Sequence, residues 1–383
     1  MTNRLFISVD FPPENGGIQN YVYGLVSHLD PMKTVVLTSN RLGEDVYQEF
    51  DKKQSYQTYR IGISNKVSMV KQILQLFVLF FSICSIKRKH KIEELHFGNI
   101  MPIGMVGPFA RKCLKVKFYP YIHGLDFLES KTNPLKYKLL NYTLKHATKI
   151  ICNSNYTKNV LRKSGIDERK LIVIHPGIHA NVESKKLHKE AAITKYQLQD
   201  KFVLLTVGRL VKRKGHDKVL EALKELVKDN PNIKYIICGK GPEREKLEAQ
   251  TKRLQLDKFV VFTGDIDQNE LEALYEAADL FIMLNRELKE QGDVEGYGIV
   301  FLEAGMHKLP VIGGNNGGVP DAVVNGTTGY LVNSTDIQEV IKTIQVLQQD
   351  KQLIKEIGIN GYEWVNSNCL WSSRVKLLDT LEA

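Results

Sequence analysis

The sequence predicts an α/β protein built as two successive doubly wound parallel sheets, each with helices on both faces. Two observations carry this expectation. At 383 residues the chain is longer than one ordinary domain. Short apolar runs alternate with amphipathic stretches along its length and pause once, in the polar segment Asn181 to Glu190 after His175-Pro176-Gly177, which reads as a linker. The expected domains are therefore 1–180 and 181–363, followed by a tail.

In the first half, strands are expected near Leu5–Val9, Thr34–Thr38, Glu94–Phe97, Lys117–Ile122, Lys149–Cys152 and Leu171–Ile174. Helices are expected near Ile18–Leu29, Met69–Lys89, Pro134–His146 and Asn155–Lys163, the last capped by Asn153 or Ser154. The alternation restarts with strands near Phe202–Val207, Lys234–Cys238, Phe259–Thr263, Leu280–Leu284, Pro310–Ile312 and Gly329–Val332. Helices between them run near Lys218–Lys228, Glu243–Leu254, Gln268–Ala277, Ile299–His307 and Asp336–Leu347. Ligands of such sheets bind beyond the carboxyl ends of the strands, so two facing domains would share a cleft.

Composition narrows the class. Hydrophobic content of 43% with 25% charged residues describes a soluble globular protein. Five scattered cysteines without a C-x-x-C pair fit a reducing cytosol and argue against a disulfide framework or structural zinc. The run Met1 to Phe11 contains Asp10 and reads as a first strand, not a signal peptide. Up to residue 182 there are 26 Lys and Arg against 13 Asp and Glu, and beyond it 27 against 30. The basic excess thus belongs to the first half. It is either a set of solvated lysines or a face toward something anionic, such as a membrane surface or an acidic glycan. No nucleic-acid module is present. Ile73 to Ile86 is nearly all apolar and ends in Lys87-Arg88-Lys89-His90-Lys91, but it falls short of the ~20 residues that span a bilayer. It reads as a core helix with cations at its C-terminus, or as a helix lying at a membrane interface.

Chemistry gathers at the strand ends. Glu295-Gly296-Tyr297-Gly298-Ile299 leads through an apolar run to Glu303, which puts one carboxylate before a helix N-terminus and the other inside the helix. An open helix N-terminus attracts phosphate, and two carboxylates beside it can grip hydroxyls. A buried helix with a satisfied glutamate is the alternative. Glu287 stands at the same spacing from Glu295, without the glycine turn or the apolar helix. Pro12-Pro13-Glu14-Asn15-Gly16-Gly17 offers an anion-holding turn or simply a tight one. Gly208-Arg209-Leu210-Val211-Lys212-Arg213-Lys214-Gly215 suits a diphosphate, or is a surface charge run. Gly239-Lys240-Gly241-Pro242 begins a dinucleotide fingerprint but has Arg244 where the third glycine is needed. His123-Gly124 follows a strand, where the histidine serves either structure or catalysis.

Taken in order, these segments, with His175-Pro176-Gly177, Gly317-Gly318-Val319-Pro320-Asp321 and Asn325-Gly326-Thr327-Thr328-Gly329, resemble family 4 retaining glycosyltransferases of the GT-B fold. The run Gly292-Asp293-Val294-Glu295-Gly296 resembles the branch that includes the mannosyltransferases of phosphatidylinositol mannoside synthesis. The resemblance implies an N-terminal acceptor domain, a C-terminal donor domain and a final helix, 364–383, crossing back to the first. It implies that Glu303 accepts from the ribose hydroxyls and that Glu295 holds the transferred sugar with the backbone of Tyr297, Gly298 and Ile299. Arg209 and Lys214, behind Gly208, would neutralise the departing diphosphate, with Gly16 and Gly17 closing on it. His123 would lie near the sugar with Asp126 beside it, and Thr263-Gly264-Asp265 would meet the base.

The expected donor is a nucleotide-diphosphate sugar of the GDP-mannose, UDP-glucose or UDP-N-acetylglucosamine type, with no cofactor or metal required. Asp265-Ile266-Asp267 reads as loop and helix cap, not as a metal clamp. The acceptor would be a hydroxyl of a lipid-linked, glycan or small molecule, in bacterial cell-envelope or polysaccharide synthesis. Its side of the cleft would be shaped by loops such as Phe97 to Pro108 and Phe127 to Asn133. The location would be cytoplasmic, with peripheral contact at the inner face of an anionic membrane. A nucleotide-sugar epimerase, a nicotinamide dehydrogenase and a non-catalytic sugar or lipid binding protein are the competing readings.

Overall fold

The computed structural model describes residues 2–14, 16–42, 44–63, 69–180 and 186–382. The chain divides into two compact units, Met1–Gly177 with Trp371–Ala383, and Ile178–Leu370. The linker expected at Asn181 to Glu190 lies partly outside the described residues. From Lys186 onward it is the start of a helix, Lys186–Tyr196, and not a polar spacer. Ala192 in that helix is buried against the second unit's core, which explains the order.

The first unit is a parallel sheet of seven strands: β1 (Arg4–Ser8), β2 (Thr34–Ser39), β3 (Gln57–Ile61), β4 (Glu94–Phe97), β5 (Lys117–Ile122), β6 (Ile150–Cys152) and β7 (Leu171–Val173). Their order is β3-β2-β1-β4-β5-β6-β7, so the winding reverses between β1 and β4. Successive side chains of a strand face opposite sides, and both sides are buried here. Leu5 and Ile7 enter one core and Phe6 the other. That burial accounts for the continuous apolar runs. Strand β3 was not expected, because its residues are polar and incompletely buried at the sheet edge.

Ser154 caps the helix Asn155–Lys163, its Oγ accepting from the Thr157 amide. The helix Met69–His90 departs from the expectation of a core helix. Leu79, Ile83 and Ile86 are buried, but Ile73, Leu74, Phe77, Val78 and Phe81 are exposed. Only its inward face belongs to the core.

The second unit has six parallel strands: β8 (Phe202–Val207), β9 (Ile233–Cys238), β10 (Val260–Gly264), β11 (Leu280–Met283), β12 (Val311–Gly314) and β13 (Gly329–Val332). Their order is β10-β9-β8-β11-β12-β13, with the reversal between β8 and β11. Leu204 aligns with Leu280 and Leu205 with Phe281 across that junction. Asp267 caps the helix Gln268–Ala277 through the Glu270 amide, as its sequence position suggested.

The tail differs in detail from a single crossing helix. A helix, Lys351–Asn368, stays with the second unit and places Trp364 against its core. The return to the first unit begins at Trp371, followed by a short helix and a 3-10 stretch, Val375–Glu382. Trp371 is buried edge-on to Tyr21, and a Cβ on Gly24 would lie 2.0 Å from its indole. Arg4 anchors the same segment, donating to Asp379 Oδ1 at 2.8 Å while its Nε binds the buried Glu94 at 2.9 Å. Trp371→Ala should cost about 3–5 kcal/mol, the usual loss for a large buried aromatic. Thermal unfolding checks this, and an unchanged midpoint would mean the tail is not part of the first unit's core.

Candidate functional site

In the second unit the candidate residues meet where the winding reverses, which is where open α/β sheets place ligands. The loop after β8 is held by its neighbours, Gly208 donating to Cys238 O and Leu210 to Lys240 O, each at 2.9 Å. That contact explains the incomplete dinucleotide fingerprint. A Cβ at Gly239 would sit 2.2 Å from Gly208 O, and one at Gly241 2.3 Å from Leu210 O. Both glycines serve the approach of one loop to another.

The β8 loop leads into a 3-10 turn, Lys212–Lys214, which turns Lys214 inward. Lys214 is only 8% exposed, and its Nζ lies 2.6 Å from Glu295 Oε2. Asn285, two residues after β11, donates to the same Oε2 at 3.1 Å, and Arg213 Nε stands 3.9 Å away. Burial opposes ionisation of Glu295. The charges of Lys214 and Arg213, with hydrogen bonds from Lys214 and the Gly296 amide, outweigh it and hold the carboxyl below its ordinary range. Arg213 also faces Asp293 at 3.4 Å. The Glu295 carbonyl accepts from the Gly318 amide at 2.9 Å, which ties this loop to the one after β12.

Beyond Glu295, Tyr297 is a buried core residue. Gly298 has φ +93, a left-handed value at the N-cap of the helix Ile299–Met306 where a side chain would be strained. Glu303 lies in this helix and accepts from Tyr275 OH at 2.9 Å. Burial raises its pKa, with the Tyr275 bond and the Lys214 charge offsetting part of the rise. Arg209 is exposed and makes no ion pair among the described residues. Gly264 ends β10 with open space around it, and Asp265 pairs with Lys240 at 2.7 Å. Among the described residues no group of three His, Cys, Asp or Glu is placed to hold a metal ion.

Two acceptors in this neighbourhood lack partners. Asn285 Oδ1 and Asn316 Oδ1 are buried and make no hydrogen bond among the described residues. Leaving a buried acceptor unpaired costs about 1–3 kcal/mol, so such atoms favour a ligand that supplies donors. Asn285, Arg213, Asn316 and Tyr275 join the site only in the folded structure. Arg213 stood within the quoted basic run. Asn285 could have been found only as a polar residue just past an apolar strand.

The first unit has its own strand-end cluster. Asn99, just past β4, accepts from Ser8 Oγ at 2.7 Å and Val9 N at 2.9 Å, and donates to Asp10 Oδ2 at 2.8 Å. It fixes the β1 loop that leads to Gly16 and Gly17, where the helix Gly17–Val26 begins. Asn15 lies outside the described residues. His123, just past β5, is half-buried, and its Nε2 donates to Gly98 O at 2.9 Å. Its backbone amide meets the Asp126 carboxylate at 3.2 Å. Burial raises the pKa of Asp126, and the His123 charge and backbone amides counter part of that rise. Asp126 and Asn99 also line a cavity of about 620 Å³, whose other walls include Leu76, Ile100, Met105 and Leu139.

Two doubly wound parallel-sheet units, one with a buried cation–carboxylate pair at its switch point, have the architecture of the GT-B fold. Residues 15–182 match the family described as Glycosyltransferase Family 4, and residues 188–364 match Glycosyl transferases group 1. A GDP-mannose-dependent alpha-(1-6)-phosphatidylinositol monomannoside mannosyltransferase of Mycolicibacterium smegmatis is 31% identical over 97% of this chain and 95% of its own. Its counterpart in Mycobacterium tuberculosis is 28% identical over 100% and 98%. Among solved structures, HepE of Anabaena in complex with UDP and glucose superposes with TM-score 0.81 at 18% identity, covering 100% of both chains. Sucrose-phosphate synthase of Thermosynechococcus elongatus gives 0.79 at 21%, covering 100% of this chain and 98% of its own. The chain belongs to glycosyltransferase family 4, whose members here use nucleotide sugars and include mannosyltransferases.

Two stability results follow from the buried charges. Lys214→Ala strands a buried carboxylate and should cost about 3–5 kcal/mol, part of which a second change, Glu295→Gln, should restore. Urea unfolding of the single and double variants checks the coupling, and strictly additive losses would deny it. A raised pKa means that ionised Glu303 costs stability above its ordinary pKa, a cost that vanishes as pH falls. Glu303→Gln should therefore raise the midpoint of the nucleotide-free protein at pH 7, by about 2–4 °C for each kcal/mol relieved. A lowered midpoint would contradict it.

Proposed function

We propose that this chain is a retaining, metal-independent hexosyl- or N-acetylhexosaminyltransferase, with GDP-mannose as the first donor to test. What carries the reading is the Lys214–Glu295 pair, set at the switch point beside a helix N-terminus and two unpaired acceptors. The GDP-mannose dependence of the mycobacterial relatives supports the donor. The acceptor is a hydroxyl of a lipid-linked, glycan or small molecule of the bacterial cell envelope. Peripheral contact with an anionic membrane through the basic first unit belongs to the same reading.

The bond that breaks joins the anomeric carbon to a diphosphate oxygen, and its electron pair stays with the diphosphate. Arg209, Lys214 and the N-terminus of the helix Ile299–Met306 stabilise that developing charge from fixed positions. Glu295 orients sugar hydroxyls, and Asn285 Oδ1 and Asn316 Oδ1 accept further ones. Glu303, held by Tyr275, accepts from the ribose, and the β10 end at Gly264 and Asp265 meets the base. Gly16 and Gly17 serve the diphosphate, and His123 with Asp126 the transferred sugar, as the family resemblance implies. The acceptor oxygen bonds the anomeric carbon on the face the diphosphate leaves, and its proton passes to a phosphate oxygen. No protein base is needed.

Arg209→Ala is the cleanest test, because this exposed residue supports no ion pair among the described residues. Nucleotide release from GDP-mannose with acceptor present should fall about 10²–10³-fold while the melting midpoint stays put. Activity within a few-fold of wild type would remove Arg209 from the diphosphate. Added chelator should leave the wild-type rate within about two-fold, since protein cations do the work usually given to a metal. Loss of activity that magnesium restores would refute the metal-independent route.

A further inference from the structure

His123 is held by more than its own loop. Its ring meets Tyr21 edge-on, with centroids 5.4 Å apart and planes at 82°. Its Nε2 donates to Gly98 O, and the Gly98 amide donates in turn to Ile7 O at 2.8 Å, so β1 fixes that acceptor. Val22 crowds Gly98 closely enough that a Cβ there would lie 2.6 Å from the valine Cγ2. Tyr21 and Val22 are successive residues of the helix Gly17–Val26. One helix thus touches both the imidazole and the group that binds it.

Tyr21 has little freedom of its own. It is buried, and its hydroxyl donates to Ile174 O at 2.7 Å. Tyr121 meets its ring at 5.8 Å and 69°, and Trp371 at 5.6 Å and 79°. Aromatic rings prefer such edge-to-face contacts. Gly24, one turn on from Tyr21, leaves the space that the Trp371 indole fills. A line of rings therefore runs from Trp371 through Tyr21 to His123. Tyr21, Tyr121 and Trp371 are buried, and His123 alone of the four reaches solvent, at the carboxyl end of β5 where such sheets place ligands.

We propose that Tyr21 is a positioning residue for sugar transfer, and that Trp371 sets Tyr21 and through it the His123 ring. The proposal rests on the reading that His123 meets the transferred sugar. A half-buried imidazole held by one hydrogen bond can still swing about that bond, and the edge of Tyr21 closes off the swing. A ring held in place before the sugar arrives gives up less freedom on binding it. Trp371, at the start of the return to the first unit, then acts on sugar binding without touching the sugar.

Calorimetry of GDP-mannose and of GDP on the full chain tests this, read as the ratio of the two affinities. Tyr21→Leu should lower that ratio about three- to ten-fold, the loss of one well-placed polar contact, and leave GDP affinity within about two-fold. Tyr21→Phe keeps the ring and should keep the ratio. Trp371→Phe should lower it by a smaller factor, and this variant carries the test if Tyr21→Leu does not fold. Neither change should lower the ratio further in a His123→Ala background, because both act through that ring. The His123 ring resonance, assigned by its loss in His123→Ala, should move in both Tyr21→Leu and Trp371→Phe. An unmoved resonance, an unchanged ratio, a Tyr21→Phe loss equal to that of Tyr21→Leu, or the same loss in the His123→Ala background would overturn the proposal. A ratio that His123→Ala itself leaves unchanged, while Tyr21→Leu still moves the resonance, marks a different failure: His123 would not meet the sugar, and the role of Tyr21 would fall with that reading.

Discussion

One buried lysine–glutamate contact organises the second unit. Taking either Lys214 or Glu295 out of water alone would cost several kcal/mol, and their separation of 2.6 Å repays that only because the geometry is fixed. The fixing comes from the sheet. Strands β8 and β11 lie side by side although they are distant in sequence, and the loops after them deliver Lys214, Arg213 and Asn285 to one carboxylate. Each charge answers another, so the position that can neutralise a diphosphate and the position that can hold hydroxyls are built as a unit.

The first unit follows the same physics with neutral groups. Asn99 does there what the ion pair does in the second unit, gathering the β1 loop through three accepted bonds and one donated. Its core is completed by residues distant in the chain, with Trp371 filling the space above Gly24 and Arg4 bridging Glu94 to Asp379. The cluster of His123, Asp126 and Asn99 therefore sits on a unit whose core includes Trp371, Leu378 and Leu381.

The doubly wound architecture was legible because strands buried on both faces leave apolar runs such as Phe202–Val207, whereas the polar edge strand Gln57–Ile61 leaves none. Glu295, Gly298, Glu303 and the β8 loop were legible because glycine turns and charge runs are local signals. Asn285, Tyr275 and Asn99 were not, since a lone polar residue acquires meaning only from which strands become neighbours. The helix Met69–His90 shows the other limit. Its sequence is apolar nearly all round, and the pattern does not say that Leu79 and Ile83 would be covered while Phe77 and Phe81 would not.

The central claim is that Glu295 holds the transferred sugar while its partner Lys214 serves the diphosphate. Titration calorimetry of GDP and of GDP-mannose, on wild type and Glu295→Gln, separates the two. The expected result is that the variant binds GDP as tightly as wild type or more tightly, because Lys214 is released, and loses the extra affinity for the sugar nucleotide. Equal weakening for both ligands, or an undiminished preference for GDP-mannose, would contradict it.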